Sequence, residues 1–217
     1  MLQAPPTEPA SLTDLPKLAI GGATLYRVWR AGNPVTRPEP WWFSSQVGDD
    51  GARFDLPIPL GTLYTSTSRA GALLEAIQAR LTNLPVQELA VRRSATIHVP
   101  DGTPPAADLC DSTVAGRGVT AAIWAGGDRE LTQSWANALR RDGWWSLHTG
   151  IHHDPSATMR AVAVFGTTGE VAPTLGGTWS FTSHSLDNDP EVARELEDFG
   201  ITVRGPGELP FVDDVPD

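Results

Sequence analysis

The sequence has few of the residues on which several common classes of protein depend. Cys110 is the one cysteine among 217 residues, which excludes an internal disulfide framework and a multi-cysteine zinc site. No run approaches the roughly 18 consecutive apolar residues of a membrane-spanning helix. The first residues have neither the basic start nor the apolar run of a secretory signal. We therefore expect a protein of a reducing, cytoplasmic compartment that has no membrane partner.

Lysine is also scarce, and the acidic residues are unevenly distributed. Lys17 is the only lysine, so almost every cationic side chain is an arginine, the residue suited to bidentate binding of carboxylates and phosphates. The net charge is −10, but residues 187–217 contain ten acidic and two basic residues, which leaves −2 for residues 1–186. Because a nucleic-acid binder needs a basic surface, we expect no direct contact with nucleic acid. We expect the acidic segment 187–217 either to increase solubility or to bind a basic partner.

The spacing of apolar residues predicts a mixed α+β fold. Strands are predicted at 25–30, 62–67, 95–99, 144–151, 160–165, 178–183 and 201–204, and helices at 69–81, 128–141 and 189–199. Strands outnumber helices and do not alternate strictly with them, which favours α+β over a doubly wound sheet. Ser68 is predicted to cap the first helix. The proline-containing stretch 31–61 is predicted to be a functional loop, with Trp41 and Trp42 as candidates for a lid or a partner surface.

Generic catalytic motifs are missing, and two weaker candidates remain. The sequence has no GxGxxG after a strand, no GxxxxGK[ST], no HExxH and no GxSxG. Cys110 could be a nucleophile, although a lone cysteine is more often a small packed side chain. A group of potential metal ligands consists of His148, His152, His153 and Asp154. His148 and His152 would converge only on a helix, which Gly150 and Pro155 disfavour, so we expect no metal.

Seven short segments occur in an order that resembles one known family. They are LYRV at 25–28, NP at 33–34, WWFSS at 41–45, GARFDLP at 51–57, GTLYTSTSRAGALLEA at 61–76, DRELTQSWANAL at 128–139 and HHDPSATMRAVAVF at 152–165. Together they resemble the RES domain family over residues 23–166. Two details depart from that family's pattern: GARF stands where GGRF is more usual, and His153 and Asp154 stand where an aromatic residue often precedes the Pro-Ser pair.

The resemblance implies a fold and an activity. The fold would be similar to that of the ADP-ribosyltransferase toxins, a mixed sheet core with flanking helices. The activity would be degradation of NAD⁺ by cleavage of the nicotinamide–ribose bond, with phosphate or water as acceptor and without a metal. A protein-directed mono-ADP-ribosyltransferase and a non-catalytic nucleotide-binding or interaction module are the alternatives. Many family members are toxins that pair with a helix-turn-helix antitoxin of the Xre type, which makes such a protein an expected partner.

The resemblance also divides the chain into three parts. Residues 1–22 would be a loose N-terminal lead-in, and residues 23–186 the RES-like catalytic domain that binds NAD⁺. Residues 187–217 would be an acidic C-terminal extension, packed on this domain or trailing from it.

Five candidate site residues follow when the family pattern is carried over residue by residue: Arg27, Arg53, Tyr64, Glu75 and Ser156. Arg27 and Arg53 are suited to clamp a pyrophosphate, because a guanidinium forms paired hydrogen bonds with phosphate oxygens. Tyr64 could stack on nicotinamide or hold a ribose hydroxyl, and the Ser156 hydroxyl could bind phosphate oxygens. Arg27 and Tyr64 are also candidate catalytic residues. Each also has an ordinary explanation: a solvated edge-strand arginine, a half-buried strand tyrosine or a turn serine.

Periodicity and resemblance disagree about Glu75. Leu73, Leu74, Ile77 and Leu81 define the apolar arc of the predicted helix, and Glu75 lies roughly 145° from its centre. By periodicity alone, Glu75 is a solvated helix residue. The resemblance instead requires this flank of the helix to border a cleft. There, a carboxylate could stabilise the positive charge that develops on the ribose as the nicotinamide bond breaks.

Overall fold

The structure, a computed structural model, describes residues 2–8, 11–77 and 83–205. The strands are β1 (Lys17–Leu18), β2 (Thr24–Arg30), β3 (Leu60–Ser66), β4 (Asn83–Pro85), β5 (Arg92–His98), β6 (Ala106–Asp108), β7 (Ser146–Gly150), β8 (Arg160–Thr167), β9 (Ser180–Ser185) and β10 (Thr202–Arg204). The α-helices are α1 (Arg69–Ile77), α2 (Val86–Ala90), α3 (Ala122–Ala125), α4 (Arg129–Arg141) and α5 (Val192–Asp198), and short 3₁₀ helices span Ser112–Arg117 and Leu186–Asn188. Among the described residues, no helix is long and apolar enough to span a membrane.

Eight of these strands form one mixed sheet in the order β1-β6-β7-β8-β3-β2-β5-β9. Neighbouring strands are antiparallel except β6 and β7, which are parallel. A separate parallel pair, β10 and β4, ties residues near the end of the described chain to the segment after α1. The predicted α+β class, with a mixed sheet and flanking helices, is therefore confirmed.

The sheet divides in its middle, between β2 and β3. In the described part of the chain these two strands share one register position, Tyr26 opposite Ser66. In contrast, β2 pairs with β5 over seven positions and β3 pairs with β8 over seven. Two well-paired halves thus meet at a narrow contact, and a cleft forms where the strands diverge.

Helix α1 lies close to the sheet beside this division. The Ser68 hydroxyl accepts the Gly71 N–H at 3.1 Å, which confirms the predicted helix start. A Cβ atom at Gly71 would lie 2.5 Å from both Ile151 Cδ1 and Ser66 Oγ, so a larger residue there would require these side chains to shift. The described helix ends at Ile77, and residues 78–81 of the predicted helix, Leu81 included, lie outside the described residues.

The N-terminal lead-in differs from the expectation of a loose segment. Leu12 is fully buried and Leu15 nearly so, within a core cluster that also contains Trp135 and Leu139 of α4. β1 pairs with β6 at the edge of the sheet. Leu12 and Leu15 pack with α4 on one side of the sheet, whereas Leu18 and Ile20 belong to a second core cluster, so this segment buries apolar surface in both.

The stretch 31–61 is irregular, as predicted, but it is packed against the sheet. Phe43 forms an isolated β-bridge with Gly169, and Ser44 forms one with Thr62. Trp41, Phe43, Phe54 and Leu56 are buried. This anchoring fixes residues 44–55 along one wall of the cleft.

Candidate functional site

A cleft of about 620 Å³ opens at the division between β2 and β3. Ligand pockets in proteins are usually about 300–1,000 Å³, so its size suits a small-molecule ligand. Its walls come from β2 and β3, from residues 44–55, from α1, and from the segment after β7 that contains His152 and His153. Four of the five predicted site residues line it: Arg27, Arg53, Tyr64 and Glu75.

Small residues keep the interior of the cleft open. Ala161 and Ala163 of β8 line it and lie opposite Ser66 and Tyr64 of β3 in the sheet register. Gly150, at the end of β7, also lines it, and a Cβ there would lie 2.4 Å from Nε1 of the Trp124 indole. Larger side chains at these positions would fill the space that the diverging strands leave.

Arg27 bridges the two halves of the sheet. One Nη donates to the Tyr64 carbonyl at 2.5 Å, which joins β2 to β3 where the backbone ladder is interrupted. Burial lowers the pKa of Arg27 to about 10, only partly offset by Tyr64, so the guanidinium is still charged near neutral pH. Its Nε is buried and has no hydrogen-bond partner among the described residues. A buried, charged donor without an acceptor is costly in a folded protein.

Arg53 is held on the wall that residues 44–55 form. One Nη donates to the Gly126 carbonyl and the other lies 2.8 Å from Nδ1 of His152. Burial, followed by repulsion from Arg129, lowers the pKa of Arg53 to about 10, while Glu75 and Tyr64 raise it. Since a guanidinium has five N–H groups, these two contacts leave donors for a ligand.

Tyr64 is fixed by a carboxylate that the sequence analysis did not single out. Its hydroxyl donates to Asp55 Oδ1 at 2.8 Å and accepts the Phe54 N–H at 2.9 Å. Asp55 has no exposed surface, and its Oδ2 accepts the Ser44 hydroxyl at 2.6 Å and the Ala52 N–H at 3.0 Å. Burial and Asp55 raise the pKa of Tyr64 well above its usual value, so Tyr64 stays protonated.

Glu75 lies on the wall of the cleft rather than in bulk solvent. It is half-buried, and its Oε1 accepts the backbone N–H of His152 at 2.8 Å. The described residues offer this carboxylate no second hydrogen bond, which leaves Oε2 for a ligand. The structure thus places Glu75 as the resemblance implied and not as helical periodicity alone implied.

Ser156 is not brought together with the other four residues. It is exposed, it is not among the described residues that line the cleft, and its hydroxyl donates to Asp154 Oδ1 at 2.5 Å. The buried Asp154 also accepts the N–H groups of Ser156, Thr158 and Met159. In this geometry Ser156 stabilises the loop after His152 and His153, as a turn serine does.

Of the weaker candidates, His152 and His153 line the cleft, whereas Cys110, His148 and Asp154 do not. His148 Nδ1 is 2.8 Å from Asp108 Oδ1, and Asp108, Cys110 and His148 each offer a ligand atom within 4.8 Å of the others. Burial raises the pKa of Cys110 to about 11, which keeps it a protonated thiol. Trp41 is buried against Phe181, whereas Trp42 is exposed beneath the Arg37 guanidinium. Neither tryptophan lines the cleft in the described structure.

Several residues of the cleft are not among the predicted site residues, including Asp55, Arg129 and His152. Asp55 lies in the quoted GARFDLP segment, and its position between Phe54 and Leu56 is a signal of a buried, hydrogen-bonded carboxylate. The sequence identifies His152 only as a potential metal ligand. Arg129 carries no local signal that would separate it from a solvated first-turn residue of α4.

Comparison with known proteins agrees with this fold. A family model described as the RES domain matches residues 24–184. A search of curated protein sequences gave no match. A solved structure, the M. tuberculosis MbcT-MbcA toxin-antitoxin complex, contains a chain similar to this one with a TM-score of 0.55 and 16% sequence identity. That match covers 87% of this chain and 94% of the other. At this sequence identity it shows that the two chains share a fold and nothing more.

Proposed function

Because this chain belongs to the RES domain family, we propose that it is a toxin enzyme that degrades NAD⁺. In this reaction the nicotinamide–ribose bond breaks, its electron pair leaves with nicotinamide, and ADP-ribose passes to phosphate or water. The observation that carries the proposal is the convergence of Arg27, Arg53, Tyr64 and Glu75 from four separate segments on one cleft. No metal takes part in the reaction as we propose it.

The two arginines would hold the pyrophosphate of NAD⁺. The unpartnered Nε of Arg27 supports this role, because a phosphate oxygen would supply the acceptor that the described protein groups do not. Arg53 retains free N–H groups beside its contacts with Gly126 and His152. Together the two cations would offset the two negative charges of the pyrophosphate.

Glu75 would act on the ribose. As the bond to nicotinamide breaks, positive charge develops on the ribose, and a fixed carboxylate stabilises that charge more than it stabilises the ground state. The hydrogen bond from the His152 N–H orients the carboxylate before the reaction begins. Tyr64, held by Asp55, would pack its ring on the nicotinamide ribose.

An antitoxin of the Xre type is the partner that we propose. The similar chain of known structure comes from a complex described as toxin-antitoxin. An antitoxin would be needed because NAD⁺ degradation in the producing cell is harmful. In our proposal this chain makes no direct contact with DNA, and any such contact would come from the antitoxin.

The deciding experiment incubates the purified protein with NAD⁺, with and without inorganic phosphate, and separates the products by mass. ADP-ribose 1″-phosphate would indicate phosphorolysis, and free ADP-ribose would indicate hydrolysis. ADP-ribose attached to protein would indicate a protein-directed transferase. Intact NAD⁺ that nevertheless raises the melting temperature would indicate a binding module.

Matched variants test the site. Glu75→Gln should lower kcat by about 100- to 1,000-fold, the usual effect of removing a preorganised charge-stabilising group. Glu197→Gln makes the same chemical change at an exposed position on α5 and should leave the rate unchanged. Equal rates for wild type and Glu75→Gln would overturn the assignment of Glu75. In cells, expression of wild type should arrest growth and expression of Glu75→Gln should not.

A further inference from the structure

His152 contacts two of the four residues to which we assign roles in the reaction, Glu75 and Arg53. Its backbone N–H donates to Glu75 Oε1 at 2.8 Å, and its ring Nδ1 lies 2.8 Å from an Nη of Arg53. The same Nδ1 lies 3.1 Å from the carbonyl oxygen of Trp124. The side chain lines the cleft and is partly exposed, so protons can reach it.

Nδ1 of His152 cannot form hydrogen bonds with Arg53 and with the Trp124 carbonyl at the same time, because the two require different protonation states of this nitrogen. A guanidinium can only donate, so the contact with Arg53 requires Nδ1 to be an acceptor, with the ring proton on Nε2. A carbonyl can only accept, so a hydrogen bond to Trp124 requires a proton on Nδ1. A neutral ring can therefore bind Arg53, while a doubly protonated ring can bind only Trp124.

We propose that His152 is a positioning residue that holds Arg53 in the cleft while its ring is neutral and releases Arg53 when the ring is protonated. This proposal rests on the function proposed above, because it concerns the arginine assigned to the pyrophosphate. Protonation has two effects: Nδ1 turns to the Trp124 carbonyl, and a second positive charge appears beside the Arg53 guanidinium. The backbone hydrogen bond to Glu75 does not depend on the state of the ring.

The surrounding charges favour the neutral ring. Burial, then Arg53 and the neighbouring His153, lower the pKa of His152, while the Trp124 carbonyl and Glu75 raise it. Arg129 of α4 adds further positive charge near Arg53. Arg53 is therefore held at neutral pH and released on acidification, so the KM for NAD⁺ should rise as the pH falls.

Two variants separate the ring from the backbone. His152→Asn places an amide oxygen near the position of Nδ1, where it can accept from Arg53 but cannot titrate. Near neutral pH its kcat/KM should be well above that of His152→Ala, and it should lose the acidic rise in KM. His152→Ala keeps the N–H for Glu75 and removes the acceptor for Arg53. It should lower kcat/KM by about 100-fold, mainly through KM, as expected when a binding group is misplaced. His98→Asn, at an exposed position on β5, is the control for the titration of a histidine elsewhere.

The ring can also be observed without any reaction. The ¹⁵N chemical shifts of the imidazole, assigned by the signal lost in His152→Asn, should show an unprotonated Nδ1 near neutral pH and a protonated one in acid. An Arg53→Lys variant should change the tautomer equilibrium. If wild type does not release nicotinamide, the proposed function fails, and the ¹⁵N shifts still decide whether His152 switches. A protonated Nδ1 near neutral pH would overturn the inference. An equal rise in KM at acidic pH for wild type and His152→Asn would overturn it as well.

Discussion

The hydrogen bond between Tyr64 and Asp55 gives the sharpest test of how the cleft is built. The Asp55→Asn substitution keeps the size of the side chain but replaces one carboxylate oxygen with an amide nitrogen. Three partly buried groups donate to this buried carboxylate: the hydroxyls of Tyr64 and Ser44 and the N–H of Ala52. The amide nitrogen must face either Tyr64 or the Ser44 and Ala52 pair, so at least one hydrogen bond is lost or reversed.

The expected cost follows from those contacts. A buried donor left without its acceptor costs about 1–3 kcal/mol, and the free energy of unfolding should fall by that amount. For a protein of this length the melting temperature should fall by about 2–4 °C per kcal/mol. Tyr64→Phe removes the hydroxyl and leaves both the Phe54 N–H and Asp55 Oδ1 without it, at a similar cost of about 1–3 kcal/mol.

Urea unfolding of the two single variants and the double variant measures the pair. Because the second change removes a contact that the first has already lost, the double variant should be about 0.5–3 kcal/mol less destabilised than the sum of the singles. Asp49→Asn, at the exposed rim of the same cleft, should change stability by no more than about 0.5 kcal/mol. Additive single effects, or an Asp55→Asn variant as stable as Asp49→Asn, would refute the geometry given for Tyr64.

Three further predictions concern other parts of the structure. Gly71→Ala should destabilise the protein despite a gain in helix propensity of about 1 kcal/mol, because the new Cβ would lie 2.5 Å from Ile151 Cδ1. Gly116→Ala is the control, since its Cβ would meet no atom within 4 Å. A Gly71→Ala variant more stable than wild type in thermal unfolding would contradict the close approach of α1. Burial alone would raise the pKa of Asp154, but hydrogen bonds from Ser156, Met159 and Thr158 hold it below its ordinary value of 3.8. Asp154→Asn should therefore destabilise the protein above about pH 4, and its difference from wild type should vanish as the pH falls through the lowered pKa, as acid-unfolding curves can test. EDTA treatment should leave NAD⁺ cleavage unchanged, and recovery of activity by added Zn²⁺ would contradict a metal-free reaction.

The parts of the fold that depend on local chemistry could be predicted from the sequence. The start of α1 at Ser68 and that of α4 at Asp128 follow from capping side chains, and in both cases that side chain accepts a backbone N–H three residues on. Glu75 shows the limit of such reasoning. Periodicity identifies the face of a helix that packs against the core, but it does not tell a cleft from bulk water on the other side.

Other features could not be predicted because they depend on contacts distant in the chain. Arg53 and His152 are 99 residues apart, and nothing in either local sequence pairs them. The polar and proline-containing surroundings of Leu12 and Leu15 predict a loose segment, yet both side chains are buried in a core cluster with Trp135 and Leu139 of α4. The family pattern alone predicts Ser156 as a site residue, whereas the buried Asp154 two residues earlier determines what its hydroxyl contacts.

The narrow contact between β2 and β3 has a consequence for the local stability of the molecule. The central strands of a sheet are normally where backbone amides exchange with solvent most slowly. Here the middle of the sheet contains a seam crossed by one register position and by the Arg27 guanidinium. We expect the amides of β2 and β3 that face the cleft to exchange faster than the amides that form the β2–β5 and β3–β8 hydrogen bonds. A dianion bound to Arg27 would then stabilise the contact between the two halves of the sheet. Its binding should slow amide hydrogen exchange in both halves.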